Sequence, residues 1–319
     1  MRLRLGVALV GTFLLVGPAT PALADPATPT NYRSEVTEID PPTSEFSASI
    51  VGGDSFLQIS VPEGTEVEVL GYQEEPYVRV DPAGTVWANR MSPAFYLNDD
   101  RYGQITIPHG VSPESPPDWV SVGVGGRYAW HDHRIHWMSP VPPPGVAPEQ
   151  PSLIQEWTVP LTVEGELAEI RGTLSWVPSI SPMPWVGLIA LLAVIGSKLK
   201  PLISIAAASL LAISFGLVQW GTAPVGAWSD VVNFVPPLVA FALLPLAFNR
   251  EQPSLTWQGA AVVLLLVWSA LRFAYFTLPV LPIPMVATAA RAWVAIAMGA
   301  TLAGAWGMAI NTPLARSRK

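Results

Sequence analysis

The chain has 319 residues, of which 50 % are hydrophobic and only 13 % charged, and it contains no cysteine. Soluble globular chains carry about 25 % charged residues, so this deficit points to membrane-embedded sequence. The missing cysteines exclude disulfides, thiolate metal sites, iron–sulfur ligation and cysteine nucleophiles within these residues.

The net charge of −7 divides unevenly along the chain. Residues 25–182 carry 22 acidic and 7 basic side chains, a net −15, whereas residues 183–319 carry 8 basic and 2 acidic ones, a net +6. Two different objects are joined, behind a leader. Residues 1–24 read as a signal peptide, with Arg2 and Arg4 ahead of an apolar stretch at 5–16 that is too short to span a bilayer. Pro18 and Pro21 break that stretch, and Ala22-Leu23-Ala24 supplies the small residues read at cleavage. Residues 25–45 are rich in Pro, Thr, Ser and Glu, with few apolar residues, which predicts a disordered stalk.

From residue 46 to 180 the apolar pattern has period two. Leu57, Ile59 and Val61 share a face, as do Val67 with Val69, Val78 with Val80, and Trp157, Val159, Leu161 and Val163. Ile170, Leu174 and Trp176 follow the turn at Glu164-Gly165-Glu166. Short runs bounded by Gly, Pro or Asp predict an all-β extracytoplasmic domain, an antiparallel sandwich of one or two subdomains. No helical stripe precedes residue 185. Pro-rich loops are expected at 111–118 and 139–151, the second a candidate hinge.

All four histidines lie in this domain. On an extended strand His131 and His133 would project to one face and could chelate copper or zinc, with His136 joining across a bulge. Asp132 could orient a ligand, and His109 or Met138 could complete the sphere. The competing reading is a packed, hydrogen-bonded corner, or a partner-binding surface, built by Tyr128, Trp130, Asp132, Arg134 and Trp137. No nucleophile elbow, zinc-protease helix, phosphate loop or calcium loop occurs, so no catalytic residue and no resident cofactor is expected. Acidic pairs such as Glu74-Glu75 and Asp99-Asp100 read as solvated surface. The −15 of this domain argues against nucleic acid, which requires a basic footprint.

Residues 183–311 read as an all-α transmembrane bundle with about five spans, at 184–198, 202–219, 231–248, 259–278 and 288–310. The first is short. With the β-domain outside, five crossings place Lys198, Lys200, Arg250 and the tail at 312–319 in the cytoplasm, and the outer connections lack Lys and Arg. The polar residues of this half are Arg272, Arg291 and Asp230. The arginines are expected to snorkel to lipid phosphates, the alternatives being an Arg272–Asp230 pair or docking against the acidic β-domain. Ala295, Gly299, Ala303 and Gly307 form a small-residue stripe suited to close packing inside the bundle.

At EVLGYQEEPYVRVDPAGTVWANRMSPAFYLNDDRYG (residues 68–103) and AWHDHRIHWM (residues 129–138), the chain resembles membrane proteins of high-GC Gram-positive bacteria. That group combines a signal peptide, an exported β-domain and a carboxy-terminal helical bundle. The resemblance implies an envelope location and assigns no activity. The layout is also similar to copper-resistance proteins that fuse an exported β-domain to a membrane bundle, but their ligand pattern at the mature amino terminus and within the membrane is missing here. The expectation is therefore a non-enzymatic, multi-pass cell-membrane protein whose exported β-domain binds or organises an envelope protein or glycan. The alternative is a metal-handling protein using His131, His133, His136 and His109.

Overall fold

The computed structural model describes residues 27–222, 233–248 and 254–311. The signal peptide, Asp230, Arg250 and the tail at 312–319 lie outside the described residues.

Ten strands form the amino-terminal half, and all their pairings are antiparallel. They are β1 (Tyr32–Asp40), β2 (Ser47–Val51), β3 (Phe56–Ser60), β4 (Val67–Leu70), β5 (Pro76–Val80), β6 (Val86–Asn89), β7 (Trp119–Gly123), β8 (Arg127–Trp130), β9 (Ser152–Val163) and β10 (Glu166–Trp176). A seven-stranded sheet runs β1-β10-β9-β4-β5-β6-β7, and a three-stranded sheet runs β2-β3-β8. The alternating residues of both sheets meet in one core: Leu57, Ile59 and Trp130 from the smaller sheet, and Val67, Val78, Val159, Leu161 and Ile170 from the larger. The loop at 139–151 thus links strands of two sheets that share a core, rather than two separate cores.

Two expectations are corrected here. The stalk at 25–45 is not disordered through the described part, because Tyr32–Asp40 is the edge strand β1, paired with β10 from Tyr32↔Trp176 to Asp40↔Glu169. Its acids gave a disordered composition, yet Glu38 and Asp40 lie on the outer face, where Arg171 pairs with both and with Glu169. Gly172 lets the edge approach closely: a β-carbon there would collide with the Trp157 ring and the Glu35 carbonyl. Second, one helical turn, α1 (Pro93–Leu97), precedes residue 185, with Ser92 as its N-cap.

The carboxy-terminal half is helical: α2 (Met183–Gly196), α3 (Pro201–Thr222), α4 (Val235–Ala242), α5 (Leu244–Ala247), α6 (Leu255–Leu271), a 3-10 turn at Phe273–Phe276, and α7 (Ala287–Asn311). Two of these, Pro201–Thr222 and Ala287–Ile310, are long and apolar enough to cross a membrane. The segment expected as one span at 231–248 is broken between α4 and α5, where Pro245 lacks the N–H that a continuous helix needs. The small-residue stripe of α7 packs inside: a β-carbon on Gly299 would meet Leu192 of α2 at 2.6 Å, and one on Gly307 would meet Pro201 of α3 at 2.9 Å.

The two halves are joined by more than the chain. Thr30 and Val280 exchange backbone hydrogen bonds of 3.0 and 3.1 Å, and the Ile180 amide donates to the Thr277 carbonyl at 2.9 Å. The Val280 side chain sits against Gly53, where an added β-carbon would be 2.7 Å from it. The connection between α6 and α7 therefore lies on the β-domain side, while the Lys198/Lys200 turn ends α2 about 21 Å away along a helix that starts beside the β-domain.

Candidate functional site

Strand β8 ends at Trp130, so the histidine segment leaves the sheet before its first imidazole. Residues 131–136 form an irregular turn, and the alternation expected to place His131 and His133 on one face does not apply. His131 is buried and stacks on Phe56 with ring centres 4.3 Å apart. His133 stacks on Tyr72 at 5.6 Å and contacts the Asp100 carbonyl through Nε2 at 2.9 Å. His136 is buried, and its Nδ1 lies 3.2 Å from the Trp137 carbonyl. A carbonyl only accepts, so His133 donates from Nε2 and His136 from Nδ1, which fixes both tautomers when the rings are neutral. The ring centres of His133 and His136 are 5.5 Å apart, and those of His131 and His136 are 6.3 Å apart. His109 is exposed in the loop between α1 and β7. Among the described residues, no group of three or more His, Asp or Glu side chains has the geometry to hold a metal ion.

The polar residues of the segment serve packing. Asp132 is fully buried, accepts from Trp130 Nε1 at 2.9 Å, and pairs with Arg134 through both oxygens at 2.8 and 2.7 Å. Burial alone would raise the Asp132 carboxyl, but the Arg134 guanidinium and these donated hydrogen bonds outweigh it and hold the acid below its ordinary range. Arg134 also donates to the Leu70 carbonyl at 3.2 Å and lies over the Tyr72 ring. Tyr128 stacks on Trp130, and burial pushes its phenol up to about 12. Trp137 donates to the Val141 carbonyl at 2.7 Å.

Sequence reasoning missed three contributors. Asp54 is buried and ion-paired with Arg101, and burial raises its carboxyl above the ordinary range. Tyr72 donates to Asn98 and accepts from the His133 amide at 2.9 Å. Glu75, read as solvated surface, is instead buried: it accepts from Ser92 Oγ at 2.5 Å and from the Gln73 amide at 2.9 Å. The space for it is the missing side chain of Gly71, the one signal in the sequence that could have placed it.

His136 gives the domain a defined pH response. Burial, then the nearby Arg101 charge, push its imidazole down to about 3 from the ordinary 6.5. The unfolded chain therefore binds a proton between these values that the folded chain refuses. Stability from the neutral ring is complete above pH 6.5 and is lost as pH falls toward 3, by about 1 kcal/mol per pH unit. Asp54, with its raised carboxyl, opposes this at the acidic end. Denaturation midpoints of the metal-free chain should fall from pH 6.5 to 5, and His136→Phe should flatten that slope.

In the helical half neither arginine snorkels. Arg291 is buried, donating from Nε to the Tyr275 carbonyl at 2.8 Å and from one terminal nitrogen to Leu278 and Pro279 at 2.9 and 3.1 Å. Arg272 is buried over Trp268 and Tyr275 and donates to Gln219 at 3.3 Å. Carbonyls left unsatisfied at the break after α6 are the partners of the Arg291 guanidinium, whereas Arg272 is held by Gln219 and the two rings. Two shallow surface grooves, one beside Phe46 and Ser60 and one between β1 and β2 at Val36, Ile50 and Val280, contain no histidine. Compared with protein-family models, curated proteins and solved structures, the chain finds no match.

Proposed function

We propose that this is a non-enzymatic, multi-pass cell-envelope membrane protein that holds its β-domain outside the membrane to bind or organise an envelope protein or glycan. The observation that carries the reading is the outer surface of the helices. Leu191, Val194, Leu210, Leu238, Val263 and Trp306 are exposed, contributed by five different helices. Inside the described helices themselves, Arg291 is the one charged residue, and it is buried. A continuous apolar surface of this kind is stable against lipid and not against water. The shorter helices complete spans with their flanking residues, and the basic residues at 198, 200 and 250 and in the tail face the cytoplasm. The β-domain, seated on the α6–α7 connection, presents a fixed rather than tethered surface to its partner.

In intact cells, an epitope inserted in the 139–151 loop should be reached by antibody, and one after residue 319 should be reached only after permeabilisation. An exposed carboxy-terminal epitope in intact cells contradicts the five-span arrangement. The second reading is metal handling, and it is favoured by the buried His136 Nε2, which has no hydrogen-bond partner, with the His133 ring centre 5.5 Å from that of His136. Stoichiometric copper or zinc retention by the purified chain, abolished by histidine replacement, supports it.

A further inference from the structure

We propose that His133, His136 and Met138 form a binding site for one soft monovalent cation, Cu(I), with His131 and His109 taking no part. The inference rests on the second reading above and replaces its ligand set. Each of the two imidazoles donates one ring N–H to a backbone carbonyl, Asp100 for His133 and Trp137 for His136, and so turns one lone pair elsewhere. Metal-ligating histidines are oriented and made more basic in this way.

The free lone pair of His136 is on Nε2, a buried nitrogen with no hydrogen-bond donor facing it. Burying such an acceptor unsatisfied costs stability, and a metal would satisfy it. A metal about 2 Å from a ring nitrogen lies about 3 Å from that ring's centre, so two coordinating rings hold their centres up to about 6 Å apart. The 5.5 Å spacing of His133 and His136 fits, and their near-perpendicular planes, at 80°, leave a third direction open.

Met138 supplies the third donor. The Cε1–Nδ1 edge of His133 and the Met138 methyl both face the empty side of Gly103, within 3.0 to 3.8 Å of the position a β-carbon would take. Gly103 has φ of 65°, so the position favours glycine on backbone grounds as well. His131 is set apart by distance: its ring centre lies 6.3 Å from that of His136, beyond the span of about 6 Å that two coordinating rings allow.

Donor chemistry selects the ion. Two imidazoles and a thioether, with no carboxylate among them, suit Cu(I) better than a hard dication. The three-donor set differs from any group of three His, Asp or Glu residues because its third member is sulfur.

The test is anaerobic titration of the full chain in detergent with Cu(I) against a chromophoric Cu(I) chelator, followed by X-ray absorption at the copper edge. One retained equivalent with nitrogen and sulfur scatterers is expected. Met138→Leu, at a partly exposed position, should weaken binding at least tenfold and remove the sulfur signal; His133→Gln should weaken it similarly, and His109→Gln should change nothing. Thermal melts of each metal-free variant identify any that fail to fold. Failure to retain Cu(I), or equal retention by the folded Met138→Leu and His133→Gln variants, overturns the site. Zn(II) bound where Cu(I) is not would sink this site and leave the metal-handling reading standing; retention of neither metal would sink both.

Discussion

Asp132→Ala is expected to destabilise the β-domain by about 3 kcal/mol, the cost of leaving a guanidinium that is only 19 % exposed without its counter-ion. Asp132 is fully enclosed, and its two oxygens collect Trp130 Nε1, the Arg134 side chain and the Arg134 amide. Removing it strands Arg134 against Leu70 and the Tyr72 ring, while Gln155 still donates to the Arg134 carbonyl at 3.0 Å. The thermal midpoint of the β-sheet signal should fall by about 10 °C. Asp132→Asn should cost less, because it preserves an acceptor while losing the charge. The double replacement Asp132→Ala/Arg134→Met should recover much of the loss, since removing both partners avoids the stranded charge. A single replacement within about 0.5 kcal/mol of wild type would mean that the pair is solvated and that this corner does not hold the loop.

Arg291→Ala should have an effect of similar size, and its signature is detachment of the β-domain rather than loss of its fold. Three carbonyls, of Tyr275, Leu278 and Pro279, lose a charged donor at once. Charge-assisted hydrogen bonds contribute about 1.5–3 kcal/mol each, so about 3 kcal/mol is expected even if water repairs part of the loss. The freed segment carries Val280, which is hydrogen-bonded to Thr30, and Thr277, which accepts from Ile180. Protease sensitivity should therefore appear within 277–286 while the β-sheet signal stays intact. Arg291→Lys should rescue only in part, because an ammonium cannot reproduce the spread of a guanidinium over three acceptors.

How much of this was legible in the sequence follows from what each signal measures. Period-two apolar runs mark strands that bury one face, so β3, β4, β5, β9 and β10 could be read from Leu57, Val67, Val78, Val159 and Ile170. Strand β1 could not, because its core-packing residues Tyr32, Val36 and Ile39 are four and three apart, and the register shift between Val36 and Glu38 breaks the alternation. The same limit applied to the histidines. Parity predicts a shared face only while the chain stays extended, and β8 ends one residue before His131. Composition placed Arg272 and Arg291 near helix ends, but the carbonyls that hold Arg291 come from a break between α6 and α7 whose geometry no local pattern encodes. Glu75 was misread because an acidic pair usually faces water, and only one of these two does.

The β-domain is seated on the α6–α7 connection of the helices, and a sequence without cysteine permits a clean test of that contact. Thr30 and Val280 are directly opposed in an antiparallel bridge, where α-carbons lie about 5.5 Å apart, within disulfide reach. In membranes from cells expressing the full chain with Thr30→Cys and Val280→Cys, mild oxidation should close an intramolecular bond in most molecules, detected by loss of thiol labelling after denaturation. Adding Arg291→Ala to that pair should slow closure several-fold. Unchanged labelling after oxidation in the otherwise intact chain would contradict the docked arrangement and leave the β-domain a tethered module.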